Sequence, residues 1–74
     1  MKAILKFDLP EEQNDFELAV NASKWYSVAW DMDQYLRSQT KYAPDSMPEE
    51  TYKAFSEARE KLYQILNQNE VHFD

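Results

Sequence analysis

Apolar and polar positions alternate over residues 1–8. Met1, Ala3, Leu5 and Phe7 fall on one side of an extended chain, and Lys2, Ile4, Lys6 and Asp8 on the other. That period of two predicts a half-buried strand. The pattern changes at Asp8-Leu9-Pro10-Glu11-Glu12, where an acid that can cap, an early proline and two further acids open a helix. From Pro10 to about Tyr42 nothing interrupts helix, because the chain contains no glycine. At about 100° per residue, Leu9, Phe16, Ala19 and Val20 share one stripe, and Trp25, Val28, Ala29, Met32, Tyr35 and Leu36 share another. Asn21-Ala22-Ser23 lies between the two and holds two weak helix formers that make good caps. A break there predicts a first helix near 10–20 and a second near 23–41. One continuous helix is the rival, with Leu18, Ala22, Trp25, Ala29, Met32 and Leu36 forming a short heptad seam.

Residues 42–47 read as the one clear loop, with Pro44 as breaker. Ser46-Met47-Pro48-Glu49 predicts a second start, a capping box with proline just inside it. The helix it opens runs to about Asn67 and should bury Ala54, Phe55, Ala58, Leu62, Ile65 and Leu66. Glu49–Lys53 and Glu57–Lys61 are spaced as i,i+4 ion pairs in the favourable order. Asn67-Gln68-Asn69-Glu70 ends it, and Val71-His72-Phe73 reads as a short closing strand that would pair with residues 2–7. The expected fold is mainly α (α+β): a helical hairpin plus a shorter N-terminal helix, with a small two-stranded ribbon formed by the chain ends. Residues 1–74 form a single domain.

Size makes such a domain hard to stabilise. A chain of 74 residues hides only about 60% of the surface its unfolded form exposes. Without cysteine, disulfides and thiolate metal sites are excluded. Two Trp, five Tyr and four Phe are the available compensation, each burying about 150–250 Å². Self-association would add to it, so a homo-oligomer stays open. Fourteen acids against eight bases give a formal charge of −6, which opposes contact with phosphates or an anionic membrane surface. The start of the chain is too short and too interrupted by lysine for a signal peptide. No stretch approaches the roughly 18 apolar residues of a membrane span. The expectation is therefore a cytoplasmic protein with no membrane association, no direct nucleic-acid binding and no cofactor.

One cluster stands out against this background. Tyr26, Trp30, Asp33 and Arg37 fall within about 60° of one another on a helical wheel, beside the main apolar face. Tyr, Trp and Arg are the residue types most enriched at binding hot spots, so the four are the candidate binding surface. The alternative is that Tyr26 and Trp30 pack against the first helix, with Asp33 and Arg37 as a polar rim. Asp8, Glu11, Glu12, Asp15 and Glu17 form an acidic run that suits a helix N-terminus; the second reading is that they imitate phosphates. Lys24, Arg37 and Lys41 with Trp25, Trp30 and Tyr42 would make a stacking platform for single strands, which the net charge opposes. Asp31 and Asp33 diverge on a helix, and His72 stands alone, so neither predicts a metal or catalytic centre. Without glycine or cysteine, several catalytic motifs are excluded.

The chain resembles a group of short proteins of about this length encoded by tailed bacteriophages. The likeness lies in Met1-Lys2-Ala3-Ile4-Leu5-Lys6-Phe7-Asp8-Leu9-Pro10-Glu11-Glu12, in the stretch from Trp30-Asp31-Met32-Asp33 through Tyr42, and more weakly in residues 58–66. The resemblance implies a phage origin, the bacterial host cytoplasm, and a role in adjusting host or phage machinery. It maps no functional residue. The expected function is a non-enzymatic protein-binding module with a protein partner. The alternatives are an acidic nucleic-acid mimic and a small enzyme or accessory subunit of one.

Overall fold

Three helices carry the chain: α1, Gln13–Val20, α2, Ala22–Lys41, and α3, Glu49–Gln68. They come from a computed structural model that describes residues 1–73. Helix α1 ends where the weak helix former Asn21 interrupts the run. The Asn21 N–H still donates to the Glu17 carbonyl at 3.1 Å, and its own carbonyl accepts from Lys24 and Trp25. One residue thus closes α1 and opens α2, and the break between two helices is the form adopted. The Asn21 side chain makes no capping bond.

The helix starts differ from the sequence expectation in detail. Residues 9–12 form turns, with the Glu12 N–H donating to the Asp8 carbonyl at 2.8 Å and the Gln13 N–H to that of Pro10 at 3.2 Å. Helix α1 therefore begins three residues later than the proline suggests. At α3, Pro48 takes the N-cap position with extended dihedrals, and no side chain caps the helix. The Ser46–Glu49 capping box is not formed, because the helix opens at Glu49 and leaves Ser46 two residues ahead of the cap position. The acids Glu49 and Glu50 still sit in the first turn, where the dipole favours them.

The end of α3 decides what the C-terminal residues do. Asn69 is the C-cap, Glu70 adopts φ 57°, and the Val71 and Glu70 N–H groups donate to the Leu66 and Asn67 carbonyls. This is a Schellman motif, with glutamate in the left-handed position that glycine usually takes. It reverses the chain and sends Phe73 back against the helices. The predicted two-stranded ribbon is therefore absent: no strand occurs among the described residues. With residues 71–73 directed onto the helices, residues 2–7 have no strand to pair with, and a lone strand leaves its backbone groups unsatisfied. The N-terminal segment is held instead by an edge-to-face contact of Phe7 on Phe16, 5.9 Å between centroids.

Helices α2 and α3 form a hairpin, and its seam is not the one the heptad spacing suggests. The inward positions are Ala29, Asp33, Leu36 and Thr40 on α2, and Phe55, Arg59, Leu62 and Leu66 on α3. Both sets are spaced 4-3-4, the repeat of two helices packing along their length. Leu36 is the one buried hydrophobic residue and Asp33 the one buried charge among the described residues. Ala54, Ala58 and Ile65, expected in the buried arc of α3, are exposed, as are Leu18, Trp25 and Met32 of the expected seam. The stripe rotates because Arg59 takes a seam position, placed four residues after Phe55 and three before Leu62. The expected Glu49–Lys53 and Glu57–Lys61 pairs give way to Lys53–Glu57 at 3.9 Å.

Helix α1 touches α2 only around their junction and does not reach α3. The molecule is accordingly elongated, 55 × 28 × 19 Å. Its radius of gyration is 17.6 Å, where a globular chain of this length has about 11 Å.

Candidate functional site: the two flanks of the hairpin

Asp33 is the residue around which one flank is built. It stands on the inward side of α2 between Ala29 and Leu36, 1% exposed. A carboxylate there is costly unless its oxygens are occupied. Arg59 Nε donates to Oδ1 at 2.8 Å, and Gln34 Nε2 donates to Oδ2 at 3.3 Å. The Arg59 guanidinium lies over the Tyr63 ring, 5.5 Å from its centroid, and Nη2 donates to the Tyr63 hydroxyl at 3.5 Å. Its pKa is raised above the ordinary arginine value, chiefly by the hydrogen bond to Asp33, against a smaller opposing effect of burial. The pair fixes the register of α2 on α3, since sliding either helix by one turn would separate the charges in an otherwise apolar seam.

The same flank seats the end of the chain. Phe73 meets Tyr26, Trp30 and Tyr63 edge to face, at 5.7, 5.3 and 6.0 Å. Each such pair contributes about 0.5–1.5 kcal/mol beyond the area it buries. Tyr26 and Trp30 therefore pack against the C-terminal segment. Arg37, one turn beyond Asp33, is exposed and makes no ion pair among the described residues. A shallow hollow of about 350 Å³ lies here, lined by Trp30, Arg37, Arg59, Tyr63 and Phe73. Because Asp33 pairs with Arg59, Arg37 is the cation left to meet a ligand in this hollow, which Trp30 also lines.

The structure thus brings Tyr26, Trp30, Asp33 and Arg37 to one side of α2, with different surroundings for each. Asp33 points inward and acts within the fold, Tyr26 and Trp30 hold Phe73 while keeping about two fifths of their surface open, and Arg37 faces solvent. Arg59, Tyr63 and Phe73 complete the site and were not singled out from the sequence. Arg59 was legible in part, as a cation in heptad register with Phe55, Leu62 and Leu66. Phe73 was not, because its position depends on the chain reversal at Glu70.

The opposite flank of α2 is less covered, though Tyr35 meets Phe55 of α3 edge to face at 6.3 Å. Trp25 and Val28 are each 61% exposed and Met32 and Tyr35 each 52%. A groove of about 330 Å³ lies between the two flanks, where Trp25, Tyr26 and Ala29 of α2 face Leu66 of α3 and the returning Val71 and Phe73. The five acids of residues 8–17 lie on the turn before α1 and on α1 itself, apart from both flanks. Among the described residues no group of three or more His, Asp or Glu side chains could hold a metal ion, and no helix is long and apolar enough to cross a membrane. Comparison with known proteins returns no matching family, no similar curated protein and no similar solved structure.

Proposed function

We propose that this chain is a non-enzymatic protein-binding module whose fold is completed by a protein partner. The observation that carries the reading is its surface. The chain exposes 6649 Å², whereas a folded monomer of 8.9 kDa exposes about 4,800 Å². The excess of about 1,800 Å² on this one chain exceeds the roughly 800 Å² that each partner contributes to a standard interface, and it includes large apolar side chains on α1 and α2. Isolated apolar residues on a surface are ordinary, but contiguous patches on a monomer of this size mark a binding face.

The edge formed by Tyr26, Trp30 and Arg37 is where a heterologous partner docks. It joins two aromatic faces to a free guanidinium, with Asp33 holding the supporting helices in register behind it. Such an edge selects an acidic side chain on the partner, which Arg37 forks while Trp30 packs on its stem. The resemblance to small phage-encoded proteins supports a partner from the host or phage machinery and a modulating role in the bacterial cytoplasm.

The test uses the tagged full-length chain in nuclease-treated bacterial lysate, with a photo-crosslinking residue in place of Trp30 or, as a control, of the exposed Glu60. Covalent capture of one protein through position 30, suppressed at least tenfold by Arg37→Ala and absent from position 60, is the expected result. Capture of no protein through position 30, with the chain folded by circular dichroism, overturns the reading.

A further inference from the structure

Phe73 stands between two cavities and lines both. On one side is the apolar groove of about 330 Å³, walled by Trp25, Tyr26, Ala29 and Leu66. On the other is the hollow of about 350 Å³ that holds Trp30 and Arg37. Among the described residues Phe73 alone belongs to both linings, so its ring is the partition that makes two shallow cavities out of one longer cleft. That partition is lightly held. Beyond the Val71 N–H, which donates to the Leu66 carbonyl at 3.0 Å, the backbone of the returning segment makes no hydrogen bond among the described residues. Val71 is 51% exposed, and His72 is exposed as well. What remains is the ring itself, edge to face against Tyr26, Trp30 and Tyr63. The turn that returns it places Glu70 at φ 57°, a conformation that a residue with a Cβ adopts at a cost.

We propose that Val71–Phe73 is a displaceable latch, and that the partner of this module seats an aromatic side chain of its own in the place of Phe73. The inference rests on the binding role proposed above for Tyr26, Trp30 and Arg37, and adds the class of segment they take and the contact that regulates them. Three observations carry it. First, the place is fitted to an aromatic ring. Side chains from two helices meet one ring edge to face at 5.3, 5.7 and 6.0 Å, an electrostatic geometry that an aliphatic side chain cannot reproduce. Second, the ring covers the surface a partner has to reach, since Tyr26 and Trp30 cannot offer the area that Phe73 occupies. Third, the two cavities it separates differ in chemistry, one apolar and the other holding the Arg37 guanidinium. A segment that presents an apolar residue, an aromatic and an acid in succession meets all three parts of the opened cleft. The chain's own sequence has that order in Val71-His72-Phe73-Asp74, as a competitor for the same cleft would. Such a competitor lowers the apparent affinity of a ligand by the fraction of molecules that are open. Three ring contacts without hydrogen-bond support hold that fraction to about a few per cent, which weakens the partner on the order of thirtyfold.

The test uses the full-length chain and a fluorescein-labelled peptide of residues 67–74 offered in trans. Phe73→Ala should bind this peptide at least tenfold more tightly than wild type. Its Kd should be on the order of 100 μM, since a short tether confers a roughly millimolar local concentration. Adding Arg37→Ala should weaken the binding at least fivefold, and a peptide with alanine in place of its phenylalanine should not bind. Because Phe73→Ala also removes a stabilising contact, a second measurement keeps the native fold. A fluorinated phenylalanine at position 73 reports in fluorine NMR, and millimolar unlabelled peptide should move its resonance toward that of the free peptide carrying the same residue. Equal affinity of Phe73→Ala and wild type, with a fluorine resonance that the peptide does not move, overturns the latch. Capture of a protein through position 30 would then leave the binding module standing without it. Tighter peptide binding by Phe73→Ala, with no protein captured through position 30, supports the latch and its aromatic site and overturns the lysate partner instead.

Discussion

The two flanks of α2 differ little in composition and greatly in circumstance. One offers Tyr26 and Trp30, the other Trp25, Val28, Met32 and Tyr35, and on a wheel they stand on either side of the same seam. The first is closed from within, by Phe73 returning over it and by the Asp33–Arg59 pair beneath. The second is met by the chain at Tyr35, against Phe55 of α3, and is otherwise open. The difference comes from the ends of the chain, since the reversal at Glu70 sends the only returning aromatic to one side. A hydrophobic stripe on a helix therefore announces a need for cover and not its source. Where the chain does not supply the cover, another molecule must, or the helix is poorly held.

The largest effect that would break this contrast lies beneath the closed flank. Arg59→Ala leaves the Asp33 carboxylate buried with Gln34 as its remaining donor, and should cost about 3–5 kcal/mol in urea-induced unfolding. Asp33→Ala should cost less, since Arg59 is partly exposed and can turn to water. Replacing both by leucine should recover most of the loss. Next, Phe73→Ala should remove about 2 kcal/mol, from three aromatic contacts at a half-open site. Its drop in melting temperature should be the same at every protein concentration, with Trp30 fluorescence shifting to the red.

Trp25→Ala supplies the opposite signature. Its indole is 61% exposed, so the loss should be about 1–2 kcal/mol, with Trp30 fluorescence left in place. A red shift of Trp30 would join the two flanks in one packed unit. Glu70→Gly should stabilise by about 0.5–1 kcal/mol, because glycine takes the left-handed conformation without a steric cost. Thermal melts would show a rise of a few degrees. Smallest is Glu57→Ala, which breaks an exposed i,i+4 pair and should cost a few tenths of a kcal/mol at most; raising the salt should erase even that difference.

Local features of this protein could be read without its tertiary structure, because they depend on neighbours in sequence. Helix is dictated by a chain without glycine whose prolines fall only at the turns. The interruption at Asn21, the loop at Pro44 and the end of α3 near Asn67 follow from the propensities of a few residues. The clustering of Tyr26, Trp30, Asp33 and Arg37 on one side of α2 needs nothing beyond helical periodicity.

Tertiary structure decided what each stripe is for. Helix α2 carries two stripes of heptad spacing, one apolar and one that includes Asp33 and Thr40, and hydrophobic periodicity alone favours the wrong one. The chosen seam is the one that lets Asp33 meet Arg59, 26 residues away, a pairing worth the desolvation of both charges only when α3 lies alongside. The alternating N-terminal residues looked like a strand, yet strand structure exists only between partners, and the intended partner was drawn onto the helices. Burial likewise depends on what stands opposite: Ala58 and Ile65 are apolar and face outward, while Asp33 is charged and faces inward.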